Sequence, residues 1–201
     1  MHIKKTIWIP IVGGLIFGAL SFLISAVNFT ISISDDLILG PWEILNTLSA
    51  ALFGPLGLLI TQLGMDTGAY FYLIKGVYPA PQDIHFIMGD YVAHVLAMLA
   101  TAFGYRFFYT RVKMPFLLVG WVVTLIIFYT VLWFIQVPLF NAAVPGLGAT
   151  FMGYLSSAIP EFITTSVITS LILLALPQRL RRPQWYESKQ TLDRSGKILD
   201  E

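Results

Sequence analysis

The sequence contains no cysteine, which excludes disulfides, thiolate metal sites and thiol catalysis. Charge is almost as scarce: only 11% of the 201 residues are charged, and the two signs nearly cancel at a formal +1. Such a chain has no basic excess with which to hold nucleic acid. It also lacks a Gly-x-x-x-x-Gly-Lys-Ser/Thr phosphate loop, so an ATP-driven step would need partner subunits. What fills the chain instead is apolar: 57% of it, with a strongly positive mean hydropathy, outside the range of soluble globular domains. These residues fall in blocks of about 20, the length an α-helix needs to cross ~30 Å of hydrocarbon, and not in the alternating segments of a membrane β-barrel. The expected class is an all-α polytopic membrane bundle.

Glycine, proline and charge divide the apolar blocks into six predicted spans: Ile7 to Val27, Leu37 to Phe53, Pro55 to Ile74, His85 to Tyr105, Phe116 to Val137 and Ala149 to Leu176. The first is too long for a signal peptide and lacks a small-x-small cleavage site, so it reads as a retained helix. An unbroken helix over Pro41–Ile74 would be about 51 Å long at ~1.5 Å per residue, too long for the membrane core. Gly54-Pro55 is therefore expected to be a tight turn. With six spans, the basic groups Lys4-Lys5, Arg106/Arg111/Lys113 and Arg179/Arg181/Arg182 share one side, which the positive-inside rule makes cytoplasmic, together with both termini. The membrane domain is then residues 1–182, followed by a short solvated tail, 183–201.

Acids within the spans are costly if they face lipid, so Glu43, Asp66, Asp90 and Glu161, with the embedded His94, should face the bundle interior. Helical spacing groups them. Glu43, Asn46 and Thr47 share a face of span two, Gln62, Asp66 and Tyr70 recur every four residues on span three, and Asp90 and His94 are i, i+4 neighbours. On span six, Tyr154, Ser157, Glu161 and Thr164 form one stripe, while the half beyond Thr169 is nearly all aliphatic. Most polar faces fall in the outer half, which suggests a pocket open from outside and closed below. Structural glue between helices is the competing reading. Pro160 should free the carbonyl of Ser156 and kink span six beside Glu161. Aromatics including Tyr70, Trp133 and Tyr154 lie toward the outer side as interfacial residues, some placed to stack on a flat ligand. The candidate binding residues are thus Glu43, Asn46, Asp66, Tyr70, Asp90, His94, Trp133, Tyr154 and Glu161. Span one carries no charge but has Gly14 and Gly18, a small-x-x-x-small surface suited to close contact with a partner helix or with the protein's own helices.

Spans two and three, "LGPWEILNTLSAALFGPLGLLITQLGMD", resemble the substrate-binding S components of energy-coupling-factor transporters, in which a short helix leads through Gly-Pro-x-x-Gly into a helix ending near Gly-x-x-Asp. Here the residues are Gly54, Pro55, Gly57, Gly64 and Asp66, with the last spacing shortened to Gly-x-Asp. Chain length, six spans and internal termini are also similar. The resemblance implies a binding subunit in a prokaryotic cytoplasmic membrane, neither an enzyme nor a cofactor protein, which captures a vitamin-like molecule from outside. A transmembrane T component and two ATPase subunits would drive import, with Gly14 and Gly18 in the position of the small residues that contact the T component. The embedded acids favour a cationic or donor-rich ligand, thiamine-like heterocycles among them. A transition metal such as nickel or cobalt is the second ligand class, with His85, Asp90 and His94 as candidate donors. From other classes, a membrane sensor or an assembly scaffold competes with transport.

Overall fold

Proline and glycine mark several helix boundaries of this chain, and glycine sets how closely its helices approach. A computed structural model describes residues 3–34, 37–74, 84–111, 116, 118–124, 126–127, 134, 138, 151–183 and 185. The described residues are mostly helical: α1 (Ile3–Ala26), α2 (Pro41–Ile74), α3 (Ile84–Arg111), α4 (Phe151–Ala175) and the single turn α5 (Gln178–Arg181). Described residues between 116 and 138 are also helical. Two strands, β1 (Ile31–Ser34) and β2 (Leu37–Leu39), pair antiparallel with Ile31 opposite Leu39. By length and composition, Ile7–Ala26 and Pro41–Tyr72 are each apolar enough to cross a membrane.

The expected break in α2 is present. Gly54 has φ 66° and ψ −156°, a backbone state essentially restricted to glycine, and Pro55 removes an N–H and clashes with the preceding turn. The two halves fold back on each other about this point. Asn46 bonds Gln62 and Ser49 bonds Thr61, pairs that straddle Gly54-Pro55. In a straight helix, Asn46 and Gln62 would be about 24 Å apart.

Helix α1 packs along the second half of this hairpin through backbone-to-backbone contacts. A Cβ on Gly14 would lie 2.9 Å from Gly57 Cα, one on Gly18 2.9 Å from the Ile60 carbonyl oxygen, and one on Gly64 would collide with the Gly18 carbonyl. The remaining circumference of α1 exposes Ile7, Trp8, Val12, Leu15, Ile16 and Leu23. A helix that buries glycine and serine while presenting large apolar residues outward inverts the pattern of a soluble surface helix.

A buried core of Leu52, Leu58, Met98, Tyr105, Trp121 and Leu173 ties α2, α3, the helical stretch 118–124 and α4 together. At its two ends the chain departs from expectation. Span two begins at Pro41 and not at Leu37, because Leu37–Leu39 is taken up in β2. The tail, read as solvated from Pro183, instead starts by burying Pro183 and laying the Trp185 ring against Gly54. There Trp185 meets Phe103 edge-on at 5.8 Å and carries the Arg106 guanidinium 5.3 Å from its ring centre. The Tyr105 hydroxyl, donating to the Arg181 carbonyl at 2.7 Å, fixes the return of the chain. Helix α4 continues through Pro160 without a break in assignment, so the predicted kink is not marked by an interruption.

Candidate functional site

The hairpin sets the height of the polar residues. Glu43 and Asp66 lie on opposite arms of α2, each about 17 Å from Gly54 at ~1.5 Å per residue. Both are buried. The turn itself is marked by Arg106 and Trp185, so the acids and the basic surface occupy opposite ends of the hairpin.

At the acidic end, α2, α3 and α4 converge. Glu43 Oε1 lies 3.3 Å from His94 Nε2 of α3. Glu161 of α4 accepts from the Gly40 backbone N–H at 3.4 Å, which joins α4 to the residue linking β2 and α2. Among the described residues, Glu43 and His94 act on Glu161 electrostatically. Asp66 is held from within its own helix, where Gln62 Nε2 donates to both carboxylate oxygens at 3.2 and 3.1 Å. Gln62 Oε1 then accepts from Asn46 Nδ2 at 2.8 Å, so a continuous hydrogen-bonded row crosses the hairpin. Tyr91 of α3 lies within electrostatic reach of Asp66. Among the described residues Glu43 thus meets the His94 imidazole with Glu161 nearby, while Asp66, on the other arm of the hairpin, is tied to Asn46 through Gln62, in a setting where burial strengthens every charge interaction.

The structure thus brings together Glu43, Asn46, Asp66, His94 and Glu161. Tyr70 does not join them; although it follows Asp66 by four residues, it is exposed. Trp133 lies outside the described residues. Asp90 and Tyr154 fall in α3 and α4 respectively, but their side chains, like that of His85, lie outside the described residues. Asp90 is the i, i+4 neighbour of His94 in sequence; among the described residues the carboxylate beside His94 is that of Glu43. Gly14 and Gly18, candidates for a partner contact, are covered by the chain's own Gly57, Ile60 and Gly64. Their small surface is used for internal packing, the other of the two roles this spacing allows.

The sequence did not reveal the part played by two participants. Gly40 contributes a backbone N–H, which no side-chain pattern can reveal. Gln62 was visible on the Asp66 face, but its bridging role depends on the hairpin bringing Asn46 opposite. Apart from the site, α4 also buries a polar face of Thr165, Ser166, Thr169 and Ser170, of which only Ser170 falls in the half read as nearly all aliphatic. Thr169 satisfies its hydroxyl by donating to the Thr165 carbonyl at 2.7 Å, which lets such a residue sit in an apolar helix at little cost.

Among the described residues, no group of three His, Asp or Glu side chains has the arrangement to hold a metal ion. No protein-family model, curated protein or solved structure matches this chain.

Proposed function

We propose that this chain is a multi-pass membrane protein that binds a cationic, donor-rich small molecule from the outer side, in the manner of the S component of an energy-coupling-factor transporter. The observation that carries this reading is that Glu43, Asp66 and Glu161 lie at one end of the α2 hairpin, with Glu43 against His94 and Glu161 against the Gly40 N–H. Assembling three carboxylates in an apolar bundle is costly for the fold and rewarding for a positively charged ligand. Half of a ~30 Å hydrocarbon core is about 15 Å, so acids about 17 Å from a cytoplasmic Gly54 turn lie on the outer side of the midplane. The basic residues around that turn supply the orientation, with both termini inside and six spans in all.

In this account Glu43 and Glu161 face the ligand's charge, while the fully buried Asn46 and Gln62 contribute directional hydrogen bonding. Capture is the chain's own task, and partner subunits, a T component and two ATPases, supply energy for import. Because Gly14 and Gly18 are occupied internally, docking of a T component falls to the exposed faces of the bundle.

The test is a binding titration of detergent-purified protein against a panel of vitamin-sized amines and cationic heterocycles. Glu43→Gln, Asp66→Asn and Glu161→Gln should each weaken a ligand found in this way by about 10-fold or more, the value of one charged hydrogen bond, while leaving membrane insertion intact. Unchanged affinity in all three single variants and in their combination would refute the site. It would favour the scaffold reading, in which Glu43–His94 and Asn46–Gln62–Asp66 join helices and nothing more.

A further inference from the structure

The direction of the hydrogen-bonded row across the hairpin has a chemical consequence. Both carboxylate oxygens of Asp66 accept from Gln62 Nε2, so the amino end of the Gln62 amide faces the acid. That commitment turns Gln62 Oε1 toward Asn46, which must answer with its own amino group, at 2.8 Å. The same Asn46 Nδ2 also lies 3.2 Å from Met65 Sδ. Reversing Asn46 would set two amide oxygens against each other, and reversing Gln62 would set its oxygen against Asp66. Asn46 Oδ1 is therefore left over. It belongs to a fully buried side chain and has no hydrogen-bond partner among the described residues. Buried acceptors are normally satisfied by protein, water or ligand.

Its position suggests which. Asn46 follows Glu43 by three residues on the same face of α2, about 4.5 Å further along the helix. Glu43 is the acid that meets His94 and acts on Glu161.

Resting on the ligand-binding reading above, we propose that Asn46 Oδ1 is the specificity-determining acceptor of the site: it takes an N–H from a ligand whose positive charge sits about one helical turn away against Glu43 and Glu161. Gln62 and Asp66 are positioning residues that hold the Asn46 amide in its accepting orientation. The ligand class is an organic cation bearing an amino or amide N–H roughly 5 Å from its charged centre, the rise of one helical turn.

The test uses matched cations that differ in this donor. Thiamine and oxythiamine exchange an amino for an oxo group; 1-methylnicotinamide and the methyl ester of 1-methylnicotinic acid exchange an amide NH2 for an ester methoxy group, which has no N–H. Wild-type protein should bind the N–H member of a pair at least 10-fold more tightly. Asn46→Leu should bind both members alike, at the weaker level. Asp66→Asn, which allows the row to reverse, should reduce the ratio, and Asp66→Glu should restore it; loss of general packing would not produce that pattern. If Asn46→Leu does not fold, the isosteric Asp66→Asn carries the same ratio. Binding without discrimination in the wild type, or discrimination that survives the variants, would overturn this inference and leave the ligand-binding reading standing. If no member of either pair binds, this inference fails, and the ligand-binding reading fails with it only if the protein also stays empty across the wider panel of amines and cationic heterocycles.

Discussion

Replacing Gly54 by alanine should be the most damaging one-carbon change in the protein, and its cost can be divided between two sources. The first is conformational: φ 66° with ψ −156° is a region that L-residues occupy at about 1–3 kcal/mol. The second is steric, because the added methyl would enter the Trp185 indole. If Trp185 swings aside, it forfeits the edge-on contact with Phe103, worth about 0.5–1.5 kcal/mol, and the Arg106 cation–π contact, worth about 0.5–1 kcal/mol. Together the two sources predict a loss of about 2–5 kcal/mol for Gly54→Ala. Reversible SDS unfolding in mixed micelles would measure it. Trp185→Ala separates the sources: it removes the obstacle and the ring contacts at once, so the double variant should cost less than the two singles together by about 1–2.5 kcal/mol. The conformational part should persist in the Trp185→Ala background. A Gly54→Ala protein within about 0.5 kcal/mol of wild type, or strict additivity with Trp185→Ala, would refute the reasoning.

Two further predictions concern the packing of α1 and α2. The absence of native cysteine makes Ser49→Cys with Thr61→Cys a clean reporter of the hairpin. Their hydroxyl oxygens are 2.8 Å apart, so mild oxidation should yield an intramolecular disulfide visible as a gel shift, whereas an unbent α2 would give none. Gly64→Ala places a methyl against the Gly18 carbonyl, a backbone atom with no rotamer to escape into. It should lower stability by about 1–3 kcal/mol in the same SDS titration, and a neutral result would show that α1 does not approach α2 this closely.

The break at Gly54-Pro55 was legible because it follows from local chemistry: a residue before proline is steered away from the helical region, and a 34-residue helix is too long for the membrane it is expected to cross. The grouping of Glu43 with Asn46 and of Gln62 with Asp66 was legible for the same kind of reason, since helical periodicity depends only on spacing. What spacing does not carry is which helix each polar stripe meets. Spacing showed Asp90 one turn from His94, but it could not show that Glu43 approaches the same imidazole from α2. Tyr70 keeps the right period but turns outward at the end of its stripe. Gly14 and Gly18 announced a close contact without naming the partner, because small residues permit approach from any helix. Trp185 was missed because a single aromatic in a charged tail carries no period at all; its place is set by the space that Gly54 leaves open.

The central claim is that the acidic end of the bundle binds a small organic cation, and native mass spectrometry of the protein released from mild detergent tests it most directly. The account predicts a stoichiometric mass increment of vitamin size, either co-purified or acquired from a panel of cationic heterocycles, that weakens in Glu43→Gln and Glu161→Gln. Protein that stays at its bare mass across the whole panel, or that binds equally well in both variants, would contradict it.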